Sequence, residues 1–281
     1  MTDRSLRVAC VQMRSGVDID ANISDASSMI ADAAGHGAGF VATPEMTSLL
    51  DIRPGMTRPK VTSEDKDIAL AAFCEIARTH AIWLLIGSVA VTLSHDDRLA
   101  NRSVLISPDG QPIARYDKIH MFDVEVGDGQ TYRESKAYCP GTEAVLARTQ
   151  IAAIGMTICY DLRFPHLYRR LAQVGAEILT VPSAFTRVTG QAHWQTLLRA
   201  RAIETGTFIV APAQGGDHED GRSTHGHSMI VSPWGEILAE AEGDEPGLIM
   251  ADLNIADVAK ARSRIPSLGL ESEAKLRVFE R

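Results

Sequence analysis

The chain of 281 residues is 45% hydrophobic and 23% charged, the composition of an ordinary globular protein with a sizeable core. Its net charge of −8, from 28 Lys and Arg against 36 Asp and Glu, argues against a nucleic-acid partner or an anionic membrane surface. No apolar run is long enough to span a bilayer, and residues 1–5 lack the apolar segment of a secretory signal. The four cysteines are scattered, without a CxxC pair, which favours a reducing, cytoplasmic location.

The N-terminal half alternates apolar strands with amphipathic helices. The spacing of apolar residues predicts a helix over 20–34 and a second helix that begins at Ser63 as its N-cap. The apolar face of the second helix is predicted to be Ile68, Ala71, Ala72, Ile76 and Ala77. Strands are predicted over 7–13, 40–43 and 83–91, and a hairpin joins 102–107 to 113–116 through a Pro-Asp-Gly turn.

The C-terminal half continues this alternation. Its predicted strands are 144–148, 151–158, 178–181, 208–211 and 248–253, with a hairpin between 229–231 and 237–239, and its predicted helices are 166–174, 191–205 and 255–263. The polar, glycine-rich stretch 215–227 is interpreted as a surface loop, and the polar residues from 265 onward as extended chain. Alternating elements without a linker predict an α/β or α+β layered fold in one domain.

Three polar residues each come after an apolar strand, namely Glu45, Lys118 and Cys159. Taken singly, a core cysteine and solvated charges are the commoner interpretation. If the three strands are neighbours in one sheet, however, the side chains meet at its edge. A thiol at a turn into a helix gains from exposed backbone N–H groups, and beside a carboxylate and an amine it forms a workable amidase centre.

Six blocks of the sequence resemble the nitrilase superfamily of carbon–nitrogen hydrolases. Three of them, TPE at 43–45, YDKIHMFD at 116–123 and GMTICYDLRFP at 155–165, occur in the family's order. Three more resemble its Nit-type branch: PSAFTRVTGQAHW at 182–194, LRARAIET at 198–205 and GHSMIVSPWG at 226–235. The resemblance runs from about residue 7 to residue 266, and the segment GDHEDGR at 216–222 is similar to that of the deaminated-glutathione amidases rather than the omega-amidases.

The resemblance implies a four-layer α-β-β-α sandwich that forms a homodimer or a dimer-based oligomer. It implies a single domain over 1–281, with a core of about 6–266 and a C-terminal extension. The implied catalytic triad is Glu45, Lys118 and Cys159, and a further glutamate near it falls on Glu134. We expect the backbone N–H of Tyr160 to hold the oxyanion together with Lys118.

The substrate is less constrained than the reaction. Substrate contacts are predicted for Phe122, Phe185, Thr186 and Arg187, and Asp161 and Arg163 are predicted to lock the turn after Cys159. The chain departs from the branch at Thr224-His225, where Ser-Tyr is more frequent, and over 124–130, which lacks the proline often seen there. Both departures lie where a specificity loop is expected.

No cofactor or metal is expected. The sequence contains neither a GxGxxG nor a GxxxxGK[ST] motif. His218, His225 and His227 stand among acidic residues, but their spacing does not fit a structural zinc site, so a polar loop is the preferred interpretation.

The first functional hypothesis is an amidase that hydrolyses a small carboxylate-bearing amide, such as deaminated glutathione, through a thioester. An omega-amidase acting on 2-oxoglutaramate-type substrates and a hydrolase of N-carbamoyl amino acids or nitriles use the same triad. A catalytically silent binding scaffold is the alternative from another class. For an enzyme, a lowered pKa of the Cys159 thiol is predicted.

Overall fold

The computed structural model describes residues 4–127, 131–270 and 274–280. Its strands are β1 (Ser5–Gln12), β2 (Phe40–Ala42), β3 (Trp83–Thr92), β4 (Leu99–Ile106), β5 (Pro112–Asp117), β6 (Val145–Arg148), β7 (Ala153–Met156), β8 (Ile178–Thr180), β9 (Phe208–Ala211), β10 (Gly215–Asp217), β11 (Ser223–His225), β12 (Met229–Val231), β13 (Ile237–Glu240) and β14 (Gly247–Asn254). Its α-helices are α1 (Ile19–Gly35), α2 (Ile68–His80), α3 (Pro165–Gln173), α4 (Arg187–Thr205) and α5 (Ala256–Arg264).

Two six-stranded sheets form the centre of the molecule. The first has the order β14-β1-β2-β3-β4-β5, and the second the order β13-β12-β9-β8-β7-β6. In each sheet three consecutive strands run parallel, β1-β2-β3 and β7-β8-β9, and the outer pairs are antiparallel. The parallel strands place their carboxyl ends at the same end of each sheet.

Alternating side chains divide the first sheet between two cores. Val8 and Cys10 of β1 face the second sheet, whereas Ala9 and Val11 pack under α1 and α2. The second sheet is covered on its other side by α3 and α4, through residues such as Trp194. The strands are apolar on both faces because both faces are covered. The layers are therefore helix, sheet, sheet and helix, as the resemblance implied.

The helix over residues 68–80 differs from its prediction in two respects. Asp67, not Ser63, caps α2, since its side chain accepts the Leu70 N–H at 2.8 Å. Ser63 instead precedes a separate 3₁₀ turn. The predicted apolar face is wrong for Ile68 and Ala71, which are exposed, and confirmed for Ala77, which is buried. The buried face consists of Ala69, Leu70, Phe73 and Ala77, which follow one another at helical spacing on one side of α2.

Three other boundaries depart from expectation. Residues 215–227 are not a loop throughout, because β10 and β11 pair there as an antiparallel hairpin. Helix α4 begins at Arg187, one turn before the predicted start, since Thr186 caps it by accepting the Thr189 N–H. Residues 266–269 form a 3₁₀ turn rather than extended chain.

Within the described ranges, no helix combines the length and apolar character needed to cross a membrane.

Candidate active site

The turn that follows β2 directs Glu45 into the interior. A Cβ on Gly87 of β3 would lie 2.0 Å from the Thr43 carbonyl oxygen, so only glycine lets the chain run this close to β3. The Ser88 hydroxyl accepts the Met46 N–H at 2.9 Å and fixes the turn. Met46 has a φ of 57°, in the left-handed region. The Glu45 side chain is consequently buried.

Lys118 follows β5 at the edge of the first sheet. Its backbone N–H donates to the Asn101 carbonyl at 3.0 Å, and its carbonyl accepts the Gly141 N–H at 2.8 Å. The Lys118 side chain is only 2% exposed. A buried ammonium group is stable only with anionic partners, so carboxylates are expected next to Lys118.

Cys159 begins a tight 3₁₀ turn, Cys159–Arg163, just beyond β7. Its φ is 48°, a left-handed conformation that costs a residue with a side chain about 1–3 kcal/mol. The Cys159 N–H donates to the Pro182 carbonyl at 2.9 Å. The buried Asp161 carboxylate accepts the Ile158 N–H at 2.9 Å and the Tyr116 hydroxyl at 2.6 Å. These bonds hold the elbow that presents the thiol, so the structure is consistent with the predicted locking by Asp161.

The three residues that end strands meet across the sandwich. Lys118 Nζ lies 2.8 Å from Glu45 Oε1, and the Cys159 thiol is within hydrogen-bonding reach of the same carboxylate. Their strands are not neighbours in one sheet, so that expectation is wrong. β2 and β5 are separated by β3 and β4 in the first sheet, and β7 lies in the second. Face-to-face packing of the two sheets, rather than a shared sheet edge, assembles the cluster.

The Glu45 carboxylate accepts three hydrogen bonds from nitrogen donors. Oε1 accepts from Lys118 Nζ at 2.8 Å and from Asn101 Nδ2 at 2.9 Å, and Oε2 accepts from the Ala184 N–H at 2.9 Å. Burial is the largest influence on the pKa of Glu45 and opposes its ionisation, but the ammonium of Lys118, followed by the Cys159 thiol and the charge of Arg222, holds this pKa below the usual value. Glu45 is therefore an ionised carboxylate at neutral pH.

The pKa of the Cys159 thiol is shifted in the direction opposite to the one predicted. Burial, followed by the charge of Glu45, raises the pKa of Cys159, and the opposing effect of Lys118 does not compensate. The predicted lowering of the thiol pKa is therefore wrong for this resting arrangement. The proton rests on sulfur, next to a carboxylate that can accept it.

We expect no thiolate from Cys159 at pH values below 9.0, the ordinary value for a cysteine thiol. The measurement is thiolate absorbance near 240 nm between pH 5 and 9, taken as the difference between the protein and its Cys159→Ala variant. A difference signal that titrates near neutral pH would contradict the proposed resting state.

Glu134 lies in the irregular segment after β5, and its side chain contacts Lys118. Its two carboxylate oxygens each accept from Lys118 Nζ at 2.9 Å, and Oε2 also accepts the Phe122 N–H at 2.7 Å. Lys118 thus bridges two carboxylates, which outweigh the effect of burial and hold its pKa well above the usual value. Residues 128–130, part of the segment singled out from the sequence, lie outside the described residues.

A cavity of about 540 Å³ opens over the cluster. Glu45, Lys118, Glu134, Cys159 and Tyr160 all line it. The predicted substrate contacts Phe122, Phe185 and Thr186 line it as well. Arg187 does not, because its guanidinium turns away to Asp244 at 2.9 Å and to Asp217 at 3.3 Å. Arg187 is the first residue of α4, and this position explains why its side chain does not line the cavity as predicted.

Asn101 and Arg222 are among the polar residues of the site that the sequence did not predict. Asn101 Nδ2 donates to both Glu45 and Glu134, at 2.9 and 3.2 Å, and so ties the two carboxylates together. A signal existed for Asn101, since it is a buried amide inside the apolar strand β4. Arg222, which lines the cavity, carried no such signal within its polar stretch.

The histidines of the β10–β11 hairpin have structural partners. The two ring nitrogens of the buried His218 lie 2.9 Å from the Ser15 carbonyl and 2.7 Å from the Thr224 hydroxyl. His225 stacks on His227 with ring centroids 4.4 Å apart. The interpretation of this stretch as a surface loop is wrong for His218 and Thr224, which are buried.

Comparison with known proteins identifies relatives over most of the chain. Residues 7–263 match the model of the family described as carbon-nitrogen hydrolase. The chain is 40% identical over 268 residues to the deaminated glutathione amidase of Synechocystis sp., an alignment that covers 92% of this chain and 96% of that protein.

Two solved structures share the fold. The C. elegans NitFhit protein is similar with a TM-score of 0.86 and 34% identity, over 95% of this chain, which spans 65% of that longer chain. An amidase from Nesterenkonia sp. AN1 is similar with a TM-score of 0.77 and 26% identity, over 94% of this chain and 100% of that one. That structure, of a glutamate-to-glutamine variant, shows the result of Michael addition of acrylamide at the active-site cysteine.

Proposed function

The chain belongs to the carbon–nitrogen hydrolase family, and from this premise we propose that it hydrolyses a small carboxylate-bearing amide through a thioester on Cys159. Amidase action on carbon–nitrogen bonds other than peptide bonds is the activity of its relatives. One observation carries the assignment of residues: an ionised Glu45 lies against the protonated Cys159 thiol, within a cavity large enough for a small substrate.

In the first step the Cys159 sulfur attacks the amide carbon while Glu45 takes the thiol proton. The raised thiol pKa favours this transfer during attack over a thiolate formed beforehand. The carbonyl electron pair moves onto oxygen and gives a tetrahedral intermediate. The adduct at the active-site cysteine of the Nesterenkonia amidase supports a nucleophilic cysteine in a protein of this fold.

Lys118 and the Tyr160 N–H are the proposed donors to the oxyanion. The Lys118 ammonium is fixed by Glu45 and Glu134, so little reorganisation is needed when the charge develops. Tyr160 lines the cavity, and the hydrogen bonds of the described residues include none from its backbone N–H. Glu134 and Asn101 act as positioning residues that hold Lys118 and Glu45.

The intermediate collapses when protonated Glu45 gives its proton to the departing nitrogen. The C–N bond breaks, the amine leaves, and the acyl group stays on sulfur as a thioester. Water then attacks the thioester carbon as Glu45 takes its proton. Breakage of the C–S bond releases the acid, and the sulfur recovers its proton from Glu45.

A carboxylate-bearing substrate is supported by the cations of the cavity. The arginines that line it are Arg53, Arg58, Arg98, Arg133 and Arg222. This excess of guanidinium groups suits an acidic ligand even though the whole chain is acidic. Deaminated glutathione, named for the Synechocystis relative, carries carboxylates on both sides of its scissile amide.

The test is a panel of four substrates. Deaminated glutathione is followed by release of cysteinylglycine, and 2-oxoglutaramate, an N-carbamoyl amino acid and a nitrile by release of ammonia. We expect the highest kcat/KM for deaminated glutathione. A higher value for 2-oxoglutaramate would favour an omega-amidase. Preference for the carbamoyl compound or the nitrile would overturn the substrate class, and absence of all turnover would favour a silent scaffold.

We also propose a cytoplasmic homodimer. All four cysteines are free, which suits a reducing compartment. Ile203 and Trp234 are both exposed, and Gly235, the residue after Trp234, lies against the Ile203 side chain. Such a pair favours burial against a second copy. Light scattering coupled to size exclusion gives the mass, and a monomer would exclude the dimer.

A further inference from the structure

Arg222 is a cavity-lining arginine that forms no ion pair in the described part of the chain. Its Nε is buried without a hydrogen-bond partner, and the described ion pairs include none from its guanidinium. Other arginines of the cavity are neutralised: Arg53 by Asp51 at 2.8 Å, Arg98 by Asp96 at 2.7 Å and Arg133 by Glu125 at 2.8 Å.

A buried N–H without an acceptor is costly and rare in folded proteins. Arg58 illustrates the usual solution, because its Nη1 donates to the Asp97 carbonyl at 2.8 Å. The arrangement at Arg222 therefore points to an acceptor that arrives from outside the chain. A guanidinium fork matches a carboxylate in shape and charge.

The β10–β11 hairpin holds Arg222 firmly. The Arg222 N–H donates to Asp220 Oδ1 at 2.9 Å, and its carbonyl accepts the His218 N–H at 2.8 Å. Asp220 uses its other oxygen to accept the Ile52 N–H at 2.9 Å. Both Asp220 oxygens thus bind backbone groups, and this carboxylate fixes the position of Arg222 while leaving its guanidinium unpaired.

The guanidinium lies close enough to the reacting groups to affect them electrostatically. Burial is the dominant influence on the pKa of Glu45 and Lys118 the next, but Arg222 contributes to its lowering. Arg222 likewise opposes the larger effect of burial, which raises the pKa of Tyr138. Arg222 and Cys159 line the same cavity, so one small substrate can place its carboxylate at Arg222 and its amide at Cys159.

We propose that Arg222 binds a carboxylate of the substrate and thereby sets the preference for acidic over neutral amides. This inference rests on the proposed amidase function and assigns its specificity to one residue. The carboxylate belongs either to the acyl half or to the amine half of the amide, and the chemistry of binding is the same for both.

The experiment compares succinamate with butyramide, in which a methyl group replaces the carboxylate. For Arg222→Gln we expect kcat/KM for succinamate to fall roughly 100-fold, and kcat/KM for butyramide to stay within about threefold. Arg222→Lys keeps the charge but lacks the guanidinium fork, so its kcat/KM for succinamate is expected to lie between those of the wild type and Arg222→Gln. An equal fall for both amides, or no fall for either, would overturn the proposal.

Arg14→Gln is the matched control. Arg14 Nε donates to the Gly215 carbonyl at 3.1 Å, at the base of the same hairpin, and the residue lies outside the cavity lining. Its loss disturbs the hairpin without removing a charge from the site, so the preference for succinamate should persist. If Arg14→Gln abolished that preference equally, hairpin distortion rather than the Arg222 charge would be responsible.

A binding measurement separates this inference from the amidase proposal and identifies the half that carries the carboxylate. Calorimetry measures 2-oxoglutarate and cysteinylglycine binding to Cys159→Ala, with and without Arg222→Gln. Weaker 2-oxoglutarate binding in the double variant assigns the acyl half, and weaker cysteinylglycine binding the amine half. Unchanged affinity for both refutes the role of Arg222, whereas a wild-type protein that hydrolyses no amide refutes only the proposed function.

Discussion

Replacing Cys159 with alanine should lower kcat/KM for the preferred amide by about 10⁴-fold or more, because loss of a nucleophile removes the covalent route entirely. The fold should survive, since the 3₁₀ elbow is held by Asp161 and by the backbone bond to Pro182 rather than by sulfur. Release of the amine in a quenched assay measures the loss of activity. Thermal unfolding of the same preparation measures whether the fold is retained.

Cys74→Ala is the matched control for that change. Cys74 is a half-buried thiol on α2, on the far side of the first sheet from the cavity. Its loss should leave kcat/KM unchanged. Intact mass analysis of quenched turnover should also reveal an acyl adduct in the wild type and none in Cys159→Ala. Turnover that persists without Cys159 would eliminate the thioester mechanism.

Lys118→Met should have the second largest effect, and it should act on stability as well as on rate. The change removes the cation that lies between Glu45 and Glu134 and leaves one buried and one partly buried carboxylate to repel each other. Breaking a buried ion pair in this way costs about 3–5 kcal/mol. Loss of an oxyanion donor lowers kcat by a further factor of roughly 10²–10³. Urea unfolding and steady-state kinetics measure the two effects.

The stability loss in Lys118→Met should depend on pH with a defined sign. Without the ammonium, burial raises the folded-state pKa of a carboxylate above its unfolded value. Stability is then retained at low pH and lost as pH rises through the raised pKa. The deficit relative to wild type should therefore be smaller at pH 5 than at pH 8.

Two further variants test whether the lost stability is due to the buried charge. Glu134→Gln in the Lys118→Met background removes one of the opposed charges and should recover part of the lost stability. Lys260→Met removes a lysine from an exposed pair with Asp257 and should change the free energy of unfolding by about 1 kcal/mol or less. A Lys118→Met protein as stable as wild type would show that the bridging charge is dispensable for folding.

The identities of the strand-ending residues were predictable, but their meeting point was not. An apolar run followed at once by a polar residue marks Glu45 and Cys159 in the sequence itself. Which strands are neighbours depends on long-range pairing, and β2 and β7 proved to lie in different sheets. Local pattern carries no information on that pairing.

The errors in the helices and in the polar stretch have local causes. Ser63 and Asp67 are both good capping residues four positions apart, and the extended backbone of Asp67 separates the 3₁₀ turn Glu64–Lys66 from α2. The hairpin of residues 215–225 is nearly devoid of alternating apolar residues, since it is held by polar contacts such as those of His218. Periodicity therefore could not reveal it, nor the position of Arg222 within it.

The division of the site between two sheets has a mechanical consequence. The base is anchored to one layer and the nucleophile to the other, so their separation measures the alignment of the layers directly. A sliding of about 1 Å between sheets, too small to expose the core, would break the contact on which proton transfer depends. Catalytic rate should therefore decline under heat or denaturant before global unfolding begins. Activity then reports small changes in the alignment of the two sheets that leave the core buried.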